Sequence, residues 1–442
     1  MTAKVLLEAI QSAKAVPIFE DLYGPGKAET AGRRYAGLIN GLLDPGAFPE
    51  TRGPLRVFTA AGRTELGGNH TDHNRGKVLA ASIQLDAVAV AAARQDMQVF
   101  FRSAGYPDVS VNLTDLESKS GERGTTEALI RGVAAELARR GVAVGGFSAN
   151  AASTVLPGSG LSSSAAVEVL FGRIFDSLYD GGARSALELA QIGQIAENTY
   201  FGKPCGLMDQ VACASGGAVA IDFEDSAHPR VRQINFDLAA AGYALCVVDT
   251  HGSHADLTED YAGIPAEMKA VAAFFGKSVL REVDPKDVPA HAAEIRRAAG
   301  DRALLRAIHF FAENDRVDAM LAALERANAA TGKARQGAIF DYLGLVGKSG
   351  DSSWELLQNI YSPKNPGEQG ITLALAISRD FIETAGIVGA CRVHGGGFAG
   401  AIQAYIPLDC LDAYTARMEG VFGAGAVTPL RIRPVGAAEL RF

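Results

Sequence analysis

The chain has 442 residues, 48% of them hydrophobic and 21% charged, which supplies ample apolar material for a core and excludes wholesale disorder. Lysine and arginine number 42 against 50 aspartates and glutamates, a net charge of −8 that argues against broad binding to nucleic acid or an anionic membrane, since both need a basic face. Five scattered cysteines (Cys205, Cys213, Cys246, Cys391 and Cys410) include no CxxC pair and fit reduced, packed thiols better than a disulfide framework or a zinc site.

From Met1 to Phe19, Lys4, Glu8 and Lys14 alternate with Val5, Leu6 and Ile10. That is an amphipathic helix pattern without a secretory h-region, so a cytoplasmic location is expected. The longest apolar stretches, Ala87–Ala93 and Leu238–Val248, fall short of the roughly 20 residues a spanning helix needs. Residues 55–60 read as a strand entering a glycine-containing loop, and Ile83–Ala93 as a second strand. Thr125–Arg140 has helical spacing and Ala149–Leu156 is strand-like. A helix follows, with Val167, Leu170, Phe171, Ile174 and Leu178 on one face. Leu187–Tyr200 reads as a helix; Val219–Phe223 and Tyr243–Val248 read as strands. Asp284–Phe340 is almost wholly helical by composition, and Leu373–Thr384 is another helix. Cys391–Val393, the glycines at 395–397 and Ala401–Ile406 read as strand, turn, and then helix or strand. Strands and helices mix throughout, so the class is α/β or α+β. A composition shift near 224–240 marks the candidate domain boundary.

Three segments carry chemistry. Pro157-Gly158-Ser159-Gly160-Leu161-Ser162-Ser163-Ser164 lies between an expected strand and an expected helix. Its glycines allow close backbone approach, and the helix N-terminus offers unpaired N–H groups, a combination suited to a polyphosphate. It is neither a Walker A loop nor a dinucleotide fingerprint. The plainer reading is a serine N-cap after a tight turn. Gly62–Gly76 packs Arg63, Asn69, His70, Asp72 and His73 into one glycine-punctuated loop. Such density of hydrogen-bonding groups suits a polyhydroxylated ligand. A metal site at His70, Asp72 and His73, or a solvated turn, are the rival readings. In Gly202-Lys203-Pro204-Cys205-Gly206-Leu207-Met208-Asp209-Gln210, Asp209 is either a positioned general base or a helix cap.

Together these segments resemble the galactokinases of the GHMP small-molecule kinase family. The sugar loop is similar to their GRxNxIGEHTDYxxG signature, the Gly-Ser loop to PxGxGLSSSAA, and the third segment to PCGxMDQ. His394–Gly400 resembles the family's C-terminal glycine motif. The resemblance implies an α+β fold of two domains, 1–235 and 236–442, with the active site in the cleft between them. It implies ATP-dependent phosphorylation of the anomeric hydroxyl of galactose. Asp209 would be the catalytic aspartate and Arg63 its arginine partner. Asn69, His70, Asp72, Gly206 and Tyr261 would bind the sugar. Pro157, Gly158, Ser159, Gly160, Leu161, Ser162, Ser163 and Ser164 would cradle the phosphates of ATP. Ser163 or Ser164, with Glu197, would place Mg²⁺.

The chain departs from the pattern at several positions. Glu65 stands where asparagine is usual, Gly67 where isoleucine is, Asn69 where glutamate is, His73 where tyrosine is, and Ala399 where glycine is. The family's SHxSLRxDY stretch is not recognisable; Asp351–Trp354 lies roughly there. The family glutamate at position 69 contacts the sugar near O6, so Asn69 would relax discrimination at C6. Galactose, galacturonate and N-acetylgalactosamine are therefore all considered as substrates. A non-catalytic sugar sensor is the alternative from another class. It is disfavoured because Arg63, Asp209 and the phosphate loop are all kept.

Overall fold

The computed structural model describes residues 1–43, 48, 53–155, 160–252 and 257–442. Twelve strands are found among these residues: β1 (Arg56–Gly67), β2 (Lys77–Ala93), β3 (Gln98–Ser103), β4 (Val109–Asn112), β5 (Phe147–Ser153), β6 (Ala218–Asp222), β7 (Arg230–Ile234), β8 (Tyr243–Asp249), β9 (Ala390–Val393), β10 (Ala401–Pro407), β11 (Val427–Leu430) and β12 (Ala438–Leu440). An eight-stranded sheet runs β12-β1-β2-β5-β3-β4, with β6 and β7 added beside β2. A four-stranded sheet runs β11-β8-β10-β9. Only β3 and β5 pair in parallel; the other described pairs are antiparallel, in keeping with an α+β fold.

The apolar run in β2 is a strand because it is buried on both faces. Ala87, Ala89 and Ala91 pack under the helices Thr126–Arg139, Ser163–Tyr179 and Ala186–Ile195. Val88, Val90 and Ala92 point the other way, into the helices Ala3–Ile10, Ala15–Tyr23 and Ala28–Leu42. The period of two thus divides one hydrophobic run between two helical layers. β2 begins at Lys77, earlier than the expected 83, and 401–406 takes the strand alternative as β10.

The segment 62–76 is not one loop. Its first six residues complete β1, which carries register shifts at Ala61/Gly62 and Glu65/Gly67. Such bulges twist a strand and re-aim its side chains. At the first of them the Arg63 N–H leaves the ladder and donates to Leu161 O at 3.1 Å, tying β1 to the phosphate loop. The expected helix 187–200 ends as Ala186–Ile195 with a π-helical turn, Ala196–Phe201. The stretch 284–340 forms the helices Asp287–Ala290, Ala292–Ala299 and Asp301–Ala329 and the first half of Gly332–Ser352.

The expected boundary at 235/236 falls between β7 and β8, but β12 returns to pair with β1 in the first sheet. The largest core also crosses that point. It joins Ala87 and Phe171 to Met320, Tyr342, Tyr405 and Leu430.

Candidate active site

β1 delivers Arg63, and the first turn of the helix Met208–Ser215 delivers Asp209. The two meet in a bidentate pair: Arg63 Nε donates to Oδ1 and Nη2 to Oδ2, each at 2.8 Å. Arg63 Nη1 donates to the carbonyl of Gly160, and the Ser162 hydroxyl donates to Asp209 Oδ2. Ser162 sits at φ +59° at the start of the helix Ser163–Tyr179 and makes no side-chain cap bond. Ser162 thus occupies the N-cap position without capping: its hydroxyl goes to the aspartate, and the first-turn amides keep their anion-binding capacity. Pro157, Gly158 and Ser159 lie outside the described residues.

Burial alone would raise the Asp209 carboxyl, but the adjoining Arg63 guanidinium outweighs it and holds the group below the ordinary carboxylate value. Asp209 is thus charged at neutral pH, and a weak base.

A second cluster draws on the same two helices, Ser163–Tyr179 and Met208–Ser215. The Ser164 hydroxyl donates to Glu197 Oε1 at 3.1 Å, and Lys203 Nζ lies 3.4 Å from the same oxygen. Gln210 Nε2 bridges Glu197 Oε2 at 2.9 Å and Glu168 Oε2 at 3.0 Å. Burial, then the neighbouring Glu197 charge, pushes Glu168 well up, and its Oε1 is buried without a hydrogen-bond partner. Ser163 opens the same helix.

The sugar-signature loop Gly68–Gly76 sits against the C-terminal glycine motif. His70, at φ +58°, places Nε2 2.9 Å from the Gly396 carbonyl. Burial, then the nearby His73, lowers its pKa to about 3. The ring is therefore neutral. Since the carbonyl can only accept, the proton is on Nε2 and Nδ1 is left as an acceptor. Tyr261 donates to Gly397 O at 3.1 Å and packs edge-on against Phe398. A Cβ on Gly396 would lie 2.5 Å from the Tyr261 ring. Gly206 abuts Asp72 so closely that a Cβ there would fall inside the carboxylate. A Cβ on Gly160 would lie 3.1 Å from His394 Nδ1 and one on Gly395 would lie 3.5 Å from Gly160 O, so the phosphate loop runs beside the glycine motif. The phosphate loop, the sugar loop and the glycine motif, which are distant in sequence, are thereby brought together around the Arg63–Asp209 pair.

Asn69 departs from its expected role. It is 1% exposed. Its Nδ2 donates to Gly395 O at 2.8 Å and to Glu65 Oε1 at 3.2 Å, while its Oδ1 accepts from Asn359 Nδ2 at 2.8 Å and Ser353 Oγ at 3.4 Å. All four hydrogen-bonding positions of the amide are taken by protein, so no group is left to read the sugar at C6. A carboxylate is nonetheless present at this place, because the buried Glu65 lies beside Asn69 and pairs with the buried Arg392. Two of the other departures have local reasons. A Cβ at Gly67 would lie 2.7 Å from Met320 Sδ. The unrecognised stretch near 351 supplies buried Ser349, Ser352, Ser353 and Asn359, all facing the sugar loop or its supporting helix. Sequence reasoning missed these four, together with His309, Glu313 and Asn314.

The chain has clear relatives. Residues 47–93 match the family profile described as the galactokinase galactose-binding signature, and residues 128–217 match the GHMP kinases N-terminal domain. A galactokinase of Streptomyces coelicolor is 33% identical over 412 residues, covering 92% of this chain and 96% of that protein. A galactokinase of Streptomyces lividans is 32% identical, covering 84% of this chain and 87% of that one. The fold is similar to that of Lactococcus lactis galactokinase complexed with galactose, with a TM-score of 0.75 at 23% identity over 91% of this chain and 100% of that one. A mevalonate kinase is a more distant structural neighbour, with a TM-score of 0.58 at 14% identity over 85% of this chain and 98% of that one. With a relative this similar along nearly its whole length, the chain belongs to the galactokinase family of GHMP kinases.

Proposed function

We propose that the chain transfers the γ-phosphoryl group of ATP to the anomeric hydroxyl of galactose, yielding galactose 1-phosphate and ADP. The observation that carries this reading is the Arg63–Asp209 pair, held beside the open N-terminus of the helix Ser163–Tyr179. Relatives named galactokinases, and a neighbour whose structure contains galactose, support the choice of sugar.

Phosphoryl transfer asks mainly for positioning and charge neutralisation. Asp209 Oδ2 accepts from both Arg63 and Ser162, whereas Oδ1 accepts from Arg63 alone and keeps one lone pair for a sugar hydroxyl. A carboxylate with so low a proton affinity orients that hydroxyl in line and takes its proton late, once the bond to phosphorus is forming. Arg63 holds a fixed positive charge at the transfer point, and the first-turn amides of the helix add to that field. Neutral His70 offers Nδ1, and Asp72 its carboxylate, as acceptors for the other sugar hydroxyls; Tyr261 and Gly206 shape the walls. Gly160–Ser164 form the described part of the phosphate cradle. Ser164 Oγ and Glu197 Oε1 are hard oxygen donors 3.1 Å apart, a pair that fits Mg²⁺, with Ser163 beside them. When bound there, the ion supplies charge neutralisation for the phosphate oxygens.

The test is an ATP-consumption assay with galactose, galacturonate, N-acetylgalactosamine and glucose in parallel. Galactose turnover is expected, falling by about 10²–10⁴-fold in Asp209→Asn as a positioned proton acceptor is lost. Turnover on one of the modified sugars alone would move the substrate. No turnover on any of the four would overturn the reading.

A further inference from the structure

One face of the helix Asp301–Ala329 holds the sugar loop at both ends. Glu313 Oε1 accepts the N–H of Gly68 at 3.1 Å and the hydroxyl of Ser349 at 2.6 Å. His309 Nε2 lies 2.9 Å from the Asn69 carbonyl, and its Nδ1 lies 2.8 Å from Ser352 Oγ. The carbonyl only accepts, so Nε2 carries the proton and the serine donates to Nδ1. Asn314 Oδ1 accepts the N–H of Lys77 at 2.7 Å, and Lys77 Nζ reaches Asp318. Positions 309, 313, 314 and 318 recur at helical spacing, so four consecutive contacts come from a single rigid surface. His309 and Glu313 are fully buried and Asn314 nearly so.

The loop needs such a template. His70 and Arg75 both hold left-handed backbone at φ +58° and +60°, which side chains other than glycine adopt only where the surroundings impose it. Gly68, at φ +89°, lies so close to Lys77 O that a Cβ would collide with it. Each backbone group that the helix captures (68, 69 and 77) flanks the strained turn that carries His70 and Asp72.

We infer that Glu313, with Asn314, is a positioning residue for sugar binding: through the backbone of Gly68 and Lys77 it fixes the loop from which His70 and Asp72 project. The inference rests on the sugar-kinase reading above. It gives a role to a helix whose sequence named none.

The experiment compares Glu313→Ala, Glu313→Gln and Asn314→Ala in the full chain, with galactose and ATP varied in turn. Wild-type turnover on galactose is measured first; its absence would sink the proposed function, and the variants would then be compared by calorimetric binding of galactose. Glu313→Ala should raise the KM for galactose about tenfold, the scale of one lost hydrogen bond to a charged group, with the KM for ATP within about twofold. Asn314→Ala should raise it about fivefold, again without moving ATP. Glu313→Gln keeps an acceptor for Gly68 and should stay within about threefold of wild type. If Glu313→Ala does not fold, Asn314→Ala against Glu313→Gln carries the comparison. An unchanged galactose KM in the folded variants, or equal rises for galactose and ATP, would overturn the inference.

Discussion

Glu65 and Asn69 exchange the amide and acid that the galactokinase signature carries at these positions, and the exchange keeps one carboxylate in one buried pocket, paired with Arg392. Asn69→Glu would therefore set two carboxylates in contact with one arginine. It should destabilise the protein by at least about 2 kcal/mol, read as a fall in the denaturation midpoint. Glu65→Asn added to it should recover most of the loss. Equal instability of the single and double variants would remove the exchange as an explanation. Charge state also sets two pH responses. Asp209 lies below its ordinary value of 3.8, so its stabilising pair is intact above that value and is lost only as pH falls through the depressed one. No acid limb in kcat/KM from this group is expected between about pH 5 and 8. His70 behaves differently: its folded value of about 3 lies below the ordinary 6.5, so between them the unfolded chain binds more protons and stability falls as pH drops. The slope from one such histidine approaches about 1.4 kcal/mol per pH unit. His70→Gln should flatten that slope in denaturant titrations at pH 5 and 7; an unaltered slope would show that His70 is protonated in the fold.

Close approach between elements explains what composition could not. The segment after the π-helical turn brings Gly206 against Asp72 with no room for a methyl group. Gly206→Ala should push Asp72 off its position and raise the KM for galactose about tenfold or more, with ATP less affected; equal effects on both substrates would mean that the whole cleft had shifted. The glycine motifs, the Arg63–Asp209 pair and the strand identity of 87–93 were legible because each has a local signature: glycine spacing, a named motif, a short apolar run. The support of the sugar loop was not. His309, Glu313 and Asn314 are polar residues on a long helix, and at that spacing they read as a solvated face, although Phe310, Val317 and Met320 beside them are buried. Only the tertiary packing of Gly332–Ser352 alongside shows that this face looks inward. The bond from Ser162 to Asp209 was equally hidden: Ser162 was expected in the phosphate cradle, and nothing local reveals that Asp209, 47 residues on, takes its hydroxyl.

At the scale of the whole molecule, Asp86 on β2 ties together chain segments that are distant in sequence. It accepts from Tyr23 and Arg34 of the N-terminal helices, from Thr59 of β1 and from Arg433 in the return to β12. Burial would raise this carboxyl, but Arg34 and Arg433 together hold it down. Both partners of the Asp86–Arg433 pair have no exposed side-chain surface. Removing Arg433 leaves the buried Asp86 carboxylate with Arg34 as its remaining cation, so Arg433→Met should cost about 3 kcal/mol, the low end for a broken buried pair. Asp86→Asn added to Arg433→Met should cost less than the sum of the two single changes, because they share one interaction. The single tryptophan, Trp354, packs against the core of the four-stranded sheet, far along the chain from Asp86. Since the largest core joins residues of both sheets, the loss at Asp86 should reach it. In urea, Arg433→Met should lower the fluorescence midpoint of Trp354 and the far-ultraviolet circular dichroism midpoint by the same amount, as one cooperative transition. A fluorescence midpoint that stays at the wild-type value while the dichroism midpoint falls would mean that the two sheets unfold independently and that β12 braces the first sheet alone.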